Sequence, residues 1–155
     1  MSLRTRYVAG PLCGVILADL GADVVNVEPP AGDACRYVMP VGSGRYFVPL
    51  NRGKHSVNRD LKTEGGLASS RRLIGSADVV LHNLSPVRAR AFGLDWDAVH
   101  AAHPIAVVGF VSSYGGTGRS PGHRHDLVAQ ARTGLLTAHA SPGDRVFVRA
   151  GAALP

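Results

Sequence analysis

A chain of 155 residues that is 45% hydrophobic and 18% charged has the composition of a folded domain, which excludes a disordered segment. Seventeen Lys and Arg against eleven Asp and Glu leave a net charge of +6, a surplus that suits a polyanionic partner. The apolar runs stay far below the roughly 18 residues of a membrane span, and Met1–Tyr7 lacks the apolar stretch of a secretory signal. The expectation is a cytoplasmic protein that engages no membrane. Nucleic acid is a poor fit, because the basic residues are spread along the chain and four Phe, four Tyr and one Trp offer few stacking surfaces. Cys13 and Cys35 form neither a CxxC nor a metal-ligand spacing and are expected as free thiols.

The first predicted element is a helix over Pro11–Leu20, with Pro11 in the first turn and Gly21 at the left-handed stop. A β-branched strand, Asp23–Val27, follows and ends at Pro29-Pro30. Glu28 stands at its carboxyl end, where open α/β sheets bind ligands. Tyr46–Leu50 reads as a weak strand leading into a basic turn, Asn51–Ser56. Then come a helix over Glu64–Ile74, a strand over Asp78–Leu81, and helices over Pro86–Phe92 and Asp95–Ala101. Ile105–Val111 is nearly continuous in apolar character, as expected of a strand covered on both faces. A helix over Asp126–Leu136 and a weak strand over Val146–Val148 complete the series, with long Gly-rich loops at Pro40–Arg45 and Ser112–Gly122. Alternation of this kind predicts an α/β fold with a mainly parallel, doubly wound, Rossmann-like sheet. The sheet is expected to be incomplete: only nine residues precede Gly10, and Leu3 and Val8 make no apolar run, so the first strand reads as missing or degraded.

Three segments carry candidate chemistry. Arg52 and Lys54, on a turn that Gly53 permits, make a phosphate site through charge-assisted hydrogen bonds, or else a solvated basic loop. Asn83 or Ser85 caps the helix that Pro86 opens, and a helix N-terminus beside a strand end attracts anions. His123-Arg124-His125-Asp126 is an incomplete metal pattern, so no metal site is expected, and Asp126 serves more simply as a helix cap.

The wording of the chain also resembles one family. Gly10–Pro30 looks like the opening of the family III CoA-transferases, the formyl-CoA and carnitine CoA-transferase group, with α-methylacyl-CoA racemase as a relative. Tyr46–Ser56, Asp60–Gly65, Ala77–Pro86, Phe92–Leu94 and His125–Gln130 follow in the family's order. The resemblance covers nearly all of 1–155 but only the N-terminal, CoA-binding part of the family's domain. It implies coenzyme A or an acyl-CoA as substrate, with no prosthetic group, a carboxylic acid as the other substrate, and a homo-oligomer in intact relatives. The contacts it implies are Val8, Ala9, Glu28, Arg52, Lys54, Arg59, Asp60, Leu61, Lys62, Asn83, Leu84, Ser85, Arg90, His123 and Arg124. Among these, Lys62 would pair with a CoA phosphate and Leu61 would flank the adenine.

The family's transferases use an Asp nucleophile after a strand exit that matches Arg149–Leu154, and this chain has Pro155 there. The resemblance therefore implies a CoA-binding portion inactive by itself in CoA transfer. Two alternatives stand beside it. One is a racemase or epimerase in which His125 moves the α-proton. The other is a non-catalytic CoA-binding or interaction module.

Overall fold

The structure, a computed structural model, describes residues 2–37, 46–113, 115 and 126–135. The chain divides into two units, Met1–Val111 and Ser112–Pro155. In the first unit the elements are β1 (Ser2–Arg4), α1 (Ala9–Asp19), β2 (Val24–Glu28), a 3-10 turn (Ala34–Arg36), α2 (Phe47–Asn51) and β3 (Lys54–Asn58). They continue with α3 (Glu64–Gly75), β4 (Val79–His82), α4 (Pro86–Phe92), α5 (Trp96–Ala102) and β5 (Val107–Phe110). The described part of the second unit holds α6 (Asp126–Arg132).

The five strands form one sheet in the order β3-β2-β1-β4-β5, and every neighbouring pair is parallel. An α/β class is therefore correct, but the first strand is present, contrary to the expectation. Ser2–Arg4 pairs with Val25 and Asn26 on one side and with Val80–His82 on the other. A central strand is held by backbone hydrogen bonds along both edges, so three residues suffice without an apolar run.

Tyr46–Leu50 is a second correction. Its aromatic and β-branched residues favour a strand, yet Phe47–Asn51 is a short helix. Pro49 explains this choice: it lacks the N–H that a paired strand would need, whereas the first turn of a helix leaves that donor unused. The strand falls later, at Lys54–Asn58, so the basic segment is a turn only at Arg52-Gly53. The third correction concerns β5. It is the outermost strand of the described sheet, and Val107 is 62% exposed, so it is not covered on both faces.

Local signals set the remaining boundaries. Gly21 adopts φ +94° and stops α1, as expected of a left-handed C-terminal residue. Thr63, in extended conformation, caps α3 by accepting from Gly66 N–H at 3.1 Å. Ser85 rather than Asn83 caps α4, with Pro86 in its first turn. The main core lies between α3, α4, α5 and β4 and joins Leu61, Ile74, Ala77, Val80, Ala89, Leu94, Val99 and Ala106. A smaller cluster of Val24 and Leu81 is covered by Cys13, Ala18, Ala22 and Val111. No helix among the described residues is long and apolar enough to cross a membrane.

Candidate ligand site at the carboxyl edge of the sheet

From β1 the sheet extends through β2 and β3 on one side and through β4 and β5 on the other. The loops that leave β1 and β4 therefore diverge, and in open parallel sheets that reversal is where ligands enter. Thr5–Val8 follows β1, and Asn83–Ser85 follows β4. Asn83 ties the two together: its Nδ2 donates to Arg6 O at 2.9 Å, and its Oδ1 accepts from Arg6 N at 3.2 Å. Tyr7 has φ +66°, the one non-glycine residue at positive φ among those described. The α1 N-terminus, at Val8, carries no side-chain cap hydrogen bond. Gly10 lets the helix approach closely, because a Cβ there would overlap Thr5 Cγ2.

Two buried groups line the same strand ends. Thr5 Oγ1 and His82 Nδ1 find no hydrogen-bond partner among the described residues. His82 lies against the Phe110 ring at 5.3 Å, and burial holds its pKa below the usual histidine value.

At the end of β2, Glu28 is only 1% exposed and its carboxylate is surrounded by donors. Arg36 donates through Nε at 2.8 Å and Nη2 at 2.7 Å, Ser56 Oγ at 2.7 Å, Asp33 N–H at 2.9 Å and Asn26 Nδ2 at 3.4 Å. Burial alone would raise the carboxyl pKa; the hydrogen bonds from Arg36, Ser56 and Asp33, with the Arg36 charge, outweigh it and hold it at about 2. Glu28 thus reaches the expected strand end but spends its oxygens inside the protein. Cys35, a free thiol in the adjoining turn, is pushed up to about 11 by burial and by the neighbouring Asp33 charge, so it carries no thiolate at neutral pH.

The loop after β3 turns sharply. Asp60 Oδ1 accepts from Lys62 N–H at 3.0 Å, and Asp60 O accepts from Thr63 N–H and Oγ1 at 3.1 and 2.8 Å. The turn sends Leu61 into the core, at 4% exposed, and leaves Lys62 outside. Leu61 therefore has little open face to offer an adenine. Arg59 is exposed and donates to Ser69 Oγ and Asn58 O, both at 2.7 Å. Val8 is half-buried and Ala9 exposed where α1 begins, while Leu84 packs on the main core. Arg90 is exposed on α4 and faces Asp95 at 3.9 Å.

Arg52 and Lys54, expected together as a phosphate site on one turn, lie away from the strand end that carries Lys62. Lys54 pairs with Val24 at the amino edge of the sheet, and a strand rise of about 3.3 Å per residue separates it from Arg59 by roughly 16 Å. Its ammonium is saturated by Pro11 O and Leu50 O at 2.7 Å and Asn51 Oδ1 at 3.2 Å. Burial pushes it down to about 8. Arg52 forms an ion pair with Asp19 on the surface. His123, Arg124 and His125 lie outside the described residues, as do the Val146–Val148 run and Pro155. Among the described residues no group of three or more His, Cys, Asp or Glu side chains is placed to hold a metal ion.

These features define an α/β domain with a candidate ligand site at the carboxyl edge of a parallel sheet. Residues 3–154 match CoA-transferase family III. The chain is 41% identical over 146 residues to the probable fatty acyl-CoA transferase Rv3272 of Mycobacterium tuberculosis, covering 89% of this chain and 36% of that protein. It is 34% identical over 160 residues to the succinate–glutarate CoA-transferase of Agrobacterium fabrum, covering 96% of this chain and 40% of the relative. A crystal structure of Rv3272 superposes with a TM-score of 0.82 at 39% identity, over 93% of this chain and 41% of the other. A CAIB/BAIF family protein from Brucella suis gives a TM-score of 0.82 at 33% identity, over 95% and 41% of the two chains. The chain belongs to CoA-transferase family III, and it spans well under half the length of these relatives.

Proposed function

We propose that this chain supplies the CoA-binding portion of an enzyme that moves CoA between an acyl-CoA and a carboxylic acid. CoA is a substrate in this reading and not a prosthetic group, and the sheet is the doubly wound, Rossmann-like platform beneath it. One observation carries the reading: family-assigned contacts from different loops gather at one edge. Val8 and Ala9 follow β1, Arg59, Asp60 and Lys62 follow β3, and Asn83 and Ser85 follow β4. Lys62 is the exposed cation of that edge best suited to a phosphate, because its turn fixes the backbone and its side chain faces solvent.

Titration calorimetry with CoA tests this. Lys62→Ala should cost about 1.5–3 kcal/mol of CoA binding, the range for hydrogen bonds to charged groups. Pantetheine, which lacks the nucleotide phosphates, should lose far less. Equal losses for both ligands would remove Lys62 from the phosphate site, and no CoA binding by the unsubstituted chain would overturn the reading.

The same reading includes a cytoplasmic homo-oligomer. The oligomer is supported by α1, which buries Gly10, Pro11, Gly14 and Val15 on one side and leaves Leu12, Ile16 and, just past its end, Leu20 exposed at a four-residue spacing. Light scattering should show concentration-dependent association that Ile16→Lys weakens. A monomer at every concentration sinks the oligomer.

A further inference from the structure

We propose that Glu28 and Arg36 are paired positioning residues: the fork from Arg36 onto the buried Glu28 carboxylate pins the Pro29–Tyr37 loop across the end of β2 and so shapes the CoA-binding edge without touching CoA. The inference rests on the CoA reading above and adds to it a residue pair with a defined role.

The geometry is that of a closed clasp. Glu28 ends β2, and the chain leaves through Pro29 and Pro30 into a turn closed by Gly32 N–H donating to Pro29 O at 2.8 Å. Asp33, itself buried, donates its N–H to Glu28 and accepts from Cys35 N–H at 2.8 Å, which starts the 3-10 turn. That turn delivers Arg36 back onto both carboxylate oxygens, a bidentate pairing that fixes orientation as well as charge. The outer side of the guanidinium is also held, since its carbon lies 3.7 Å above the centre of the Phe47 ring. Ser56 joins β3 to the same oxygen that Arg36 Nη2 reaches, and Arg59 N–H donates to Glu28 O at 2.8 Å. The Glu28–Arg36 pair thereby couples β2, β3, the 3-10 turn and α2.

Two consequences separate this pair from a ligand contact. Dinucleotide-binding α/β domains present a free carboxylate at this strand end to a ribose hydroxyl. Here both oxygens already accept internal donors and almost no carboxylate surface is open. The loop also has little slack. Gly32 stands at φ +77°, and a Cβ there would lie 3.2 Å from Arg36 Cδ and 3.7 Å from Glu28 Oε2.

The test combines amide hydrogen exchange in the ligand-free chain with CoA titration, using Glu28→Gln, Arg36→Lys, the double variant and Gly32→Ala. Arg36→Lys keeps the charge and loses the fork. It should speed exchange at the Asp33 and Cys35 amides at least tenfold while the β2–β3 ladder stays protected. It should also weaken CoA about tenfold. Glu28→Gln should do the same, and the double variant should be no worse than either single one, because both act through one clasp. Gly32→Ala should shift both readouts in the same direction without altering a charge. If Arg36→Lys weakens CoA while Glu28→Gln does not, Arg36 meets the ligand directly and the proposal fails. Unchanged loop exchange in Arg36→Lys also overturns it, as does loosened exchange with unchanged CoA affinity. Should Glu28→Gln fail to fold, Arg36→Lys and Gly32→Ala decide the matter. Absence of CoA binding in the unsubstituted chain defeats the functional reading, whereas the clasp itself stands or falls on exchange alone.

Discussion

Gly66→Ala should destabilise the chain by about 3 kcal/mol or more, the upper range for forcing atoms into a packed site. Alanine normally strengthens a helix interior by about 1 kcal/mol relative to glycine, so the sign is reversed. The cause is a close approach of backbones. Gly66 is buried in the first turns of α3, and a Cβ there would fall on the Asp60 carbonyl oxygen, with Thr63 Oγ1 3.0 Å away. That carbonyl accepts from Thr63 N–H and Oγ1, so it cannot move without opening the turn that places Lys62. Gly65 is the internal control, because a Cβ at that position meets nothing within 4 Å. Gly65→Ala should be neutral or slightly stabilising in urea unfolding, while Gly66→Ala should lower the midpoint sharply and weaken CoA binding with it. Equal midpoints for the two variants would show that α3 and the Asp60 turn do not meet as described.

Acid stability should fall in two stages. Below about pH 6.5 the unfolded chain binds a proton at its histidine that buried His82 resists, so stability declines as pH falls through that value. A second decline comes from Glu28. Its folded pKa of about 2 lies below the ordinary 4.5, so between these values the unfolded state binds more protons. The stabilisation is therefore complete above about pH 4.5 and is lost as pH falls towards 2. The difference corresponds to roughly 3 kcal/mol at 1.36 kcal/mol per pKa unit. Urea unfolding at pH 7, 5 and 3 reads both stages. Glu28→Gln should start lower at pH 7 and lack the decline below pH 4.5, whereas His82→Gln should lack the first decline. A Glu28→Gln profile parallel to that of the unsubstituted chain would show that the clasp carries no linked proton.

The helices and strands whose signals are local were legible in the sequence. Pro86 with Ser85, and Gly21 after an apolar run, are cap and stop chemistry that acts within a turn of the chain, and the structure keeps them where the residues put them. The α/β class followed from alternation alone. The order of motifs likewise carried the family assignment, since a family is written in residue identity and spacing.

What escaped the sequence depends on partners far along the chain. Ser2–Arg4 looks like no strand in sequence, because what holds it is backbone pairing with β2 and β4, which lie far along the chain. Lys54 and Lys62 are both expected CoA contacts, yet β3 runs between them and carries them towards opposite edges of the sheet. Glu28 was placed at the right strand end from sequence, but its role was not. A lone carboxylate at that position invites a ligand, and only folding brings Arg36, Ser56 and the Asp33 amide to close it. Residue type and spacing determined which elements form and which family they spell. Tertiary structure decided which charges remain open to a ligand, because burial and hydrogen-bond saturation are properties of what the fold packs around a side chain.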